Sequence, residues 1–261
     1  MNNVCMIICH YNDLHLPYAV ASLKNQSQKV SIFLVDDGSR PEFKRMFAHF
    51  KRIKVEEILK NKGVGHARDE GLSRAMQTGC DFVGFLDSDG IAHPSFVEKA
   101  VGRLKNDRKL LGVAAKKGLA NPQIRIAKVK YRYKIYKKDS FQLDCSLFKA
   151  KAFSNRRIPD RRSGEDSILL QSFKEDELSK LNVPYFHFER ESILAFFRDE
   201  FYGAYYGYKG NMAKTLFQIF ITPFTSLKMI VRNHWFLEGL LFPVRQFVWV
   251  LGFLLGAKSE R

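Results

Sequence analysis

Short apolar runs in the first part of the chain each stop at a polar, mostly carboxylate-bearing cluster. Residues 4–9 lead into His10-Tyr11-Asn12-Asp13, residues 30–35 into Asp36-Asp37-Gly38-Ser39, and residues 82–86 into Asp87-Ser88-Asp89. Segments with helical spacing, 14–25, 41–50 and 66–78, alternate with these runs, and 53–58 reads as a further short strand. A helix over 95–105 and strands over 110–115 and 141–149 continue the series. Strands alternating with helices predict an α/β fold, a mainly parallel sheet flanked by helices. Open parallel sheets bind ligands beyond the carboxyl ends of their strands, and every polar cluster named above falls there.

The run Phe82-Val83-Gly84-Phe85-Leu86 is the most buried in character, and it delivers Asp87 and Asp89 to one point. Residues i and i+2 of an extended segment point the same way. Two adjacent carboxylates need solvent or a cation to neutralise them, and hard divalent ions favour oxygen ligands. An Asp-Ser-Asp-Gly turn fits these four residues equally well.

The formal net charge is +16, with 43 Lys plus Arg against 27 acidic residues, which implies an anionic partner such as nucleic acid, a membrane face or a phosphorylated substrate. At 46% hydrophobic and 27% charged residues the chain is globular, not disordered. Cys5 and Cys9 lie too far apart on one strand for a bridge, Cys80 and Cys145 read as solitary, and no CxxC pair suggests zinc, so a reducing cytosolic setting is expected. No basic stretch precedes residues 4–9, so a signal peptide is not expected. Strict alternation of Lys128, Lys130, Arg132 and Lys134 with Val129, Tyr131, Tyr133 and Ile135 predicts a half-buried strand with one basic face.

A basic loop, Arg156-Arg157-Ile158-Pro159-Asp160-Arg161-Arg162, leads to Gly164-Glu165-Asp166. Carboxylates suit a helix N-terminus, so on residues alone Glu165-Asp166 reads as a helix start. Beyond residue 200 the composition turns aromatic and apolar, with Tyr202, Tyr205, Tyr206 and Tyr208 among Gly203, Gly207 and Gly210. Two apolar stretches follow, 216–231 and 235–256, interrupted by Pro223 and Lys228 and by Glu238, Pro243 and Arg245. Charges at that density argue against clean membrane spans. Apolar residues at helical spacing, with Trp235 and Trp249 nearby, predict helices lying in a membrane interface. A helical core subdomain and a re-entrant hairpin are the alternatives.

Taken in order, these blocks resemble family 2 glycosyltransferases, inverting enzymes with the GT-A fold. Ile7-Ile8-Cys9-His10-Tyr11-Asn12 stands where that family has a strand ending in Pro-Thr-Tyr-Asn. Leu34-Val35-Asp36-Asp37-Gly38-Ser39 matches its Val-Asp-Asp-Gly-Ser block, and residues 61–71 resemble Asn-x-Gly-x-x-x-Ala-Arg-Asn-x-Gly, with Asp69 in place of the second Asn. Asp87-Ser88-Asp89 matches the Asp-x-Asp signature and Glu165-Asp166 the acceptor-side Glu-Asp pair. Each block alone is weak, but their shared order is specific. No Gln-x-x-Arg-Trp motif of processive synthases occurs.

The resemblance implies a GT-A catalytic domain over 1–200, with 1–115 as the nucleotide-sugar half and 116–200 as the acceptor half, and a membrane-interfacial helical region over 201–261. On the donor side it implies Tyr11, Asp36, Asp37, Gly63, Arg68, Asp87 and Ser88, with Asp36 or Asp37 reading the base or ribose. Asp87 and Asp89 would hold Mn²⁺ or Mg²⁺. On the acceptor side it implies Glu165 and Asp166, with Asp166 as catalytic base. The expected activity is transfer of a single sugar from a nucleotide-sugar donor to a glycan, lipid-linked acceptor, at the inner face of the cell membrane, with no nucleic acid involved. The alternatives are a nucleotidyltransferase on a related sheet, for which residues 9–13 lack a glycine-rich phosphate loop, and a basic non-enzymatic nucleic-acid or membrane binder.

Overall fold

The N-terminal apolar run forms β1 (Val4–His10), and its two-residue periodicity divides the core. Val4, Met6 and Ile8 pack on one face, Cys5 and Ile7 on the other. The computed structural model that shows this describes residues 3–136, 141–189, 191–207, 212–231 and 236–259. Contacts divide the chain into two units: Met1–Ala120 with Ser140–Phe188, and Asn121–Asp139 with Glu189–Arg261.

In the first unit β1 is followed by α1 (Leu16–Lys24), β2 (Ser31–Asp37), α2 (Pro41–Lys44) with a 3₁₀ continuation over Arg45–His49, and β3 (Lys54–Ile58). Then come α3 (Val64–Gln77), β4 (Phe82–Asp87), β5 (Gly90–Ala92), α4 (Phe96–Asn106) and β6 (Gly112–Leu119). The second unit interrupts with α5 (Arg125–Tyr136), after which β7 (Cys145–Lys149), α6 (Glu165–Gln171) and β8 (Leu178–His187) complete the first. The eight strands form one sheet in the order β3-β2-β1-β4-β7-β6-β8-β5. It is parallel through β3-β2-β1-β4, as the alternation predicts. Beyond β4 it is mixed, because β7 runs antiparallel to both β4 and β6, and β5 antiparallel to β8. The apolar faces of α1 and α4 cover one side of the sheet, through Leu16, Leu23, Phe96 and Leu104. Leu72 and Ala75 of α3 and Leu169 of α6 cover the other.

The cysteines are free thiols, and the Cys80 thiol donates to the Ala75 carbonyl at 3.4 Å. At the carboxyl ends of β1 and β2, His10 and Asp36 stand in register and are both buried, with His10 Nδ1 donating to Asp36 Oδ1 at 2.9 Å. His10 is thus a satisfied structural residue. Asp36 also accepts from the Ser39 amide at 3.2 Å and lies 3.3 Å from Lys44 Nζ. Burial works against its charge, but the bonds from His10, Ser39 and Lys44 overcome burial and hold the carboxyl below its ordinary value.

In the second unit α5 packs with α7 (Ile193–Gly207), α8 (Met212–Val231) and α9 (Phe236–Ser259) around Val129, Phe196, Met229 and Phe242. The strand expected over 128–135 is therefore helix. Ala127 and Val129 are buried, while Lys130 reaches Asp199 (3.0 Å) and Arg132 reaches Glu238 (2.5 Å). Lysine and arginine stems tolerate either periodicity, so partners supplied by the neighbouring helices decide the conformation. By length and composition Leu237–Leu255 of α9 is long and apolar enough to cross a membrane. Tyr208, Gly210 and Trp235 lie outside the described residues.

A carboxyl depressed in the folded state contributes stability that is whole above its unfolded value near pH ~4 and is lost as pH falls through the lower folded value. Asp36→Asn is therefore expected to cost about 2–4 kcal/mol at neutral pH. In urea denaturation followed across acid pH, it should lose less further stability below pH ~4 than the native chain does. Identical acid limbs would show that this carboxylate is not the group involved.

Candidate active site

The carboxyl ends of β1, β2 and β4 meet at one edge, where Cys9 pairs with Asp87 and His10 with Asp36. Asp37 is buried and spends its carboxylate on the loop before α3, accepting from the amides of Lys62 and Gly63 (both 2.8 Å) and from Asn61 Nδ2 (2.9 Å). Burial raises its carboxyl in spite of those bonds. The loop can then turn into α3 only through Gly63, at φ +106°, where a Cβ would lie 2.6 Å from Arg162 Cα. Gly65 has no room either, because a Cβ there would meet the Pro159 carbonyl at 2.2 Å, and its amide bonds the Arg161 carbonyl at 3.0 Å. The 159–162 segment thus rests on the first turn of α3, and this brings Gly164-Glu165-Asp166 alongside Arg68.

Arg68 is the junction of the site. It is 6% exposed, and its guanidinium bonds Glu165 at the start of α6 through Nη1 and Asp87 at the end of β4 through Nη2 (2.6 Å). Burial opposes its charge, yet Asp87 and Glu165 outweigh burial and raise its pKa. Burial raises Asp87 and Glu165 as well, and Arg68 offsets that only in part. Asp166 is close enough to act electrostatically on both Arg68 and Glu165, and its Oδ1 accepts the Ser167 amide at 2.7 Å. Among the described residues no ion pair engages Asp166. Gly164 enters α6 at φ +78°.

Around Asp87 the carboxylates crowd. Its backbone amide bonds the Asp144 carbonyl at 3.0 Å, which sets the Asp144 side chain, just ahead of β7, beside it. His187, the last residue of β8, pairs with Gly90 and lies 3.1 Å from Asp89 through Nε2. Asp87, Asp144 and His187 each offer one ligand atom, all within 4.8 Å of one another. Two carboxylate oxygens and one imidazole nitrogen make a donor set that suits Mn²⁺ and accommodates Mg²⁺. Burial and the neighbouring Asp144 and Asp89 hold Asp87 above the ordinary range against the pull of Arg68, as expected where a cation is wanted. Asp144 is the opposite case. Burial would raise it, but Lys117 (2.6 Å), His187 and the Tyr185 hydroxyl (2.5 Å) drive it well below.

The structure therefore gathers Asp87, Asp89, Arg68, Glu165 and Asp166 on one unit. It places Asp36 and Asp37 behind them in supporting bonds, and ties Ser88 Oγ to Asp13 Oδ2 at 2.6 Å. Tyr11 stands at the end of β1 with its side chain 51% exposed. Asp144 and His187 were not legible in the sequence: neither sits in a recognisable block, and each reaches Asp87 only through long-range strand pairing.

A model of glycosyl transferase family 2 matches residues 5–158. Over 83 residues the chain is 30% identical to the cellulose synthase catalytic subunit [UDP-forming] of Komagataeibacter sucrofermentans, a stretch that is 31% of this chain and only 11% of that protein. Among solved structures, S. aureus TarS 1–349 in complex with UDP-GlcNAc superposes with a TM-score of 0.59 at 16% identity, covering 99% of this chain and 91% of that one. S. aureus TarS gives 0.56 at 16% identity over 99% and 55% of the two chains. At that identity the likeness shows the fold, a GT-A-type mixed sheet flanked by helices. The family match covers more than half of the sequence, and the chain belongs to glycosyl transferase family 2.

Proposed function

We propose that the chain is a metal-dependent, inverting glycosyltransferase that moves a single sugar from a nucleotide sugar to a glycan acceptor, lipid-linked, in the synthesis of a cell-surface polysaccharide or glycoconjugate. The observation that carries this reading is the Arg68 guanidinium, which ties the carboxylate at the end of β4 to Glu165 at the start of α6, the neighbour in sequence of Asp166. That TarS structures are described in complex with UDP-GlcNAc and with UDP supports a nucleoside diphosphate sugar as donor. Tyr11, half exposed at the strand edge, offers a ring face to a base, while Asp37 and Gly63 shape the loop that receives the nucleotide.

Asp87, Asp144 and His187 would hold the divalent ion, with Asp89 orienting His187. When bound, the ion neutralises charge that develops on the departing diphosphate. Arg68 bonds Asp87 at 2.6 Å and opposes the rise that burial imposes on its carboxyl. On the opposite side, Asp166 accepts the proton of the acceptor hydroxyl as its oxygen attacks the anomeric carbon. The bond from that carbon to the diphosphate oxygen breaks as the new one forms, its electron pair leaves with the diphosphate, and the anomeric centre inverts. The missing Gln-x-x-Arg-Trp motif supports one transfer per encounter, and the apolar C-terminal helices support work at the cytoplasmic face of a membrane.

Asp166→Asn is expected to lower kcat by about 10²- to 10⁴-fold, the range for losing a general base. Binding of the nucleotide sugar, measured by calorimetry with Mn²⁺, should hardly change. Undiminished turnover would remove Asp166 from the reaction. His187→Ala should weaken Mn²⁺ binding by about tenfold or more in a calorimetric titration with a nucleoside diphosphate present. Unchanged affinity would place the ion elsewhere.

A further inference from the structure

The described parts of α8 and α9 carry apolar stripes on their outer faces. Along α9 the outward positions are Leu237, Leu240, Val244, Phe247, Leu251 and Leu255, three or four residues apart and therefore one stripe of the helix. The inward face carries Phe242, Val250 and Phe253 together with Glu238, Arg245 and Gln246, all buried, with Glu238 paired to Arg132 and Arg245 to Glu200 at 2.7 Å. On α8 the pattern repeats, with Phe224, Leu227 and Val231 outside and Thr222 and Ser226 inside. Phe224 is 68% exposed and Phe247 67%. A surface helix in water carries polar and charged residues on such an outer face. Ion pairs turned inward beneath an apolar exterior are what a hydrocarbon surround selects.

We propose that these faces seat the second unit on a lipid bilayer, with α9 lying in the plane of the interface, stripe toward the acyl chains, and not crossing. Only an axis parallel to the surface brings the stripe to one depth along its length, whereas a crossing would carry Arg245, near the middle of α9, toward the bilayer centre. Charge favours lipid over a second copy of the chain: +16 repels its like and attracts anionic headgroups. Exposed Lys228 flanks the α8 stripe, placed to meet those headgroups. The inference deepens the membrane part of the function proposed above, but it rests on the second unit alone.

The test is co-sedimentation of the full chain with phosphatidylcholine vesicles containing phosphatidylglycerol. The native chain should pellet with the vesicles and stay bound in high salt, because apolar burial is not screened. The combined variant Leu240→Ser, Val244→Ser and Phe247→Ser should lose partition on the order of a hundredfold while keeping the native circular-dichroism melt. Should that variant fail its melt, Phe247→Ser alone is expected to lose about tenfold. Fluorophores placed through Leu237→Cys, Val244→Cys and Leu251→Cys should be quenched alike by brominated lipids of a given depth. The proposal is overturned by native-like partition of the serine variant, by release in salt, or by label depths that change steadily along α9. A lipid-free dimer that the serine variant dissolves would also overturn it, by assigning the stripe to a second copy. Because partition is the readout and not sugar transfer, failure here leaves the donor-side reading standing.

Discussion

Everything at the catalytic edge hangs on one buried guanidinium. Arg68 is shared by carboxylates from two elements, the end of β4 and the start of α6. Removing one partner of such a buried group costs about 3–5 kcal/mol, so the three side chains hold their places only as a set. Arg68 opposes the burial that raises the Asp87 carboxyl, although burial prevails. The arrangement also leaves Asp166, one residue beyond the tie, outside any described ion pair. A carboxylate clamped by a guanidinium is a poor proton acceptor, so this freedom suits the role proposed for Asp166.

The glycines before and within α3 serve the same end. Close contact of Gly63 and Gly65 with the 159–162 segment replaces side-chain packing by backbone-on-backbone packing. This is how a segment about a hundred residues downstream lodges against Arg68 with its register fixed. Asp36 and Asp37, adjacent in sequence, divide the remaining work: one fastens β1 to β2 through His10, the other fixes the loop that introduces α3. Both carboxylates are buried and already bonded within the protein.

Much of the parallel half of the sheet was legible because its strands announce themselves twice, by an apolar run and by the polar cluster that ends it. Asp87, Asp89 and Arg68 came with it. The mixed half was less so. In β8, Pro184 interrupts the strand signal and is tolerated where the pairing with β6 is irregular between Ala114 and Lys116. In α5, alternating Lys and apolar residues imitate a strand, and acidic partners far along the chain, Glu189, Asp199 and Glu238, favour the helix. Asp144 and His187 escaped for a related reason: their chemistry comes from pairing between strands, which no local window contains.

That pairing has a consequence for how the molecule is made. The three side chains able to grip an ion come from the ends of β4 and β8 and the approach to β7, and they converge only once the last strand has taken its place beside β6. A nascent or half-assembled chain presents them as scattered groups, so the cluster exists only once the sheet is assembled.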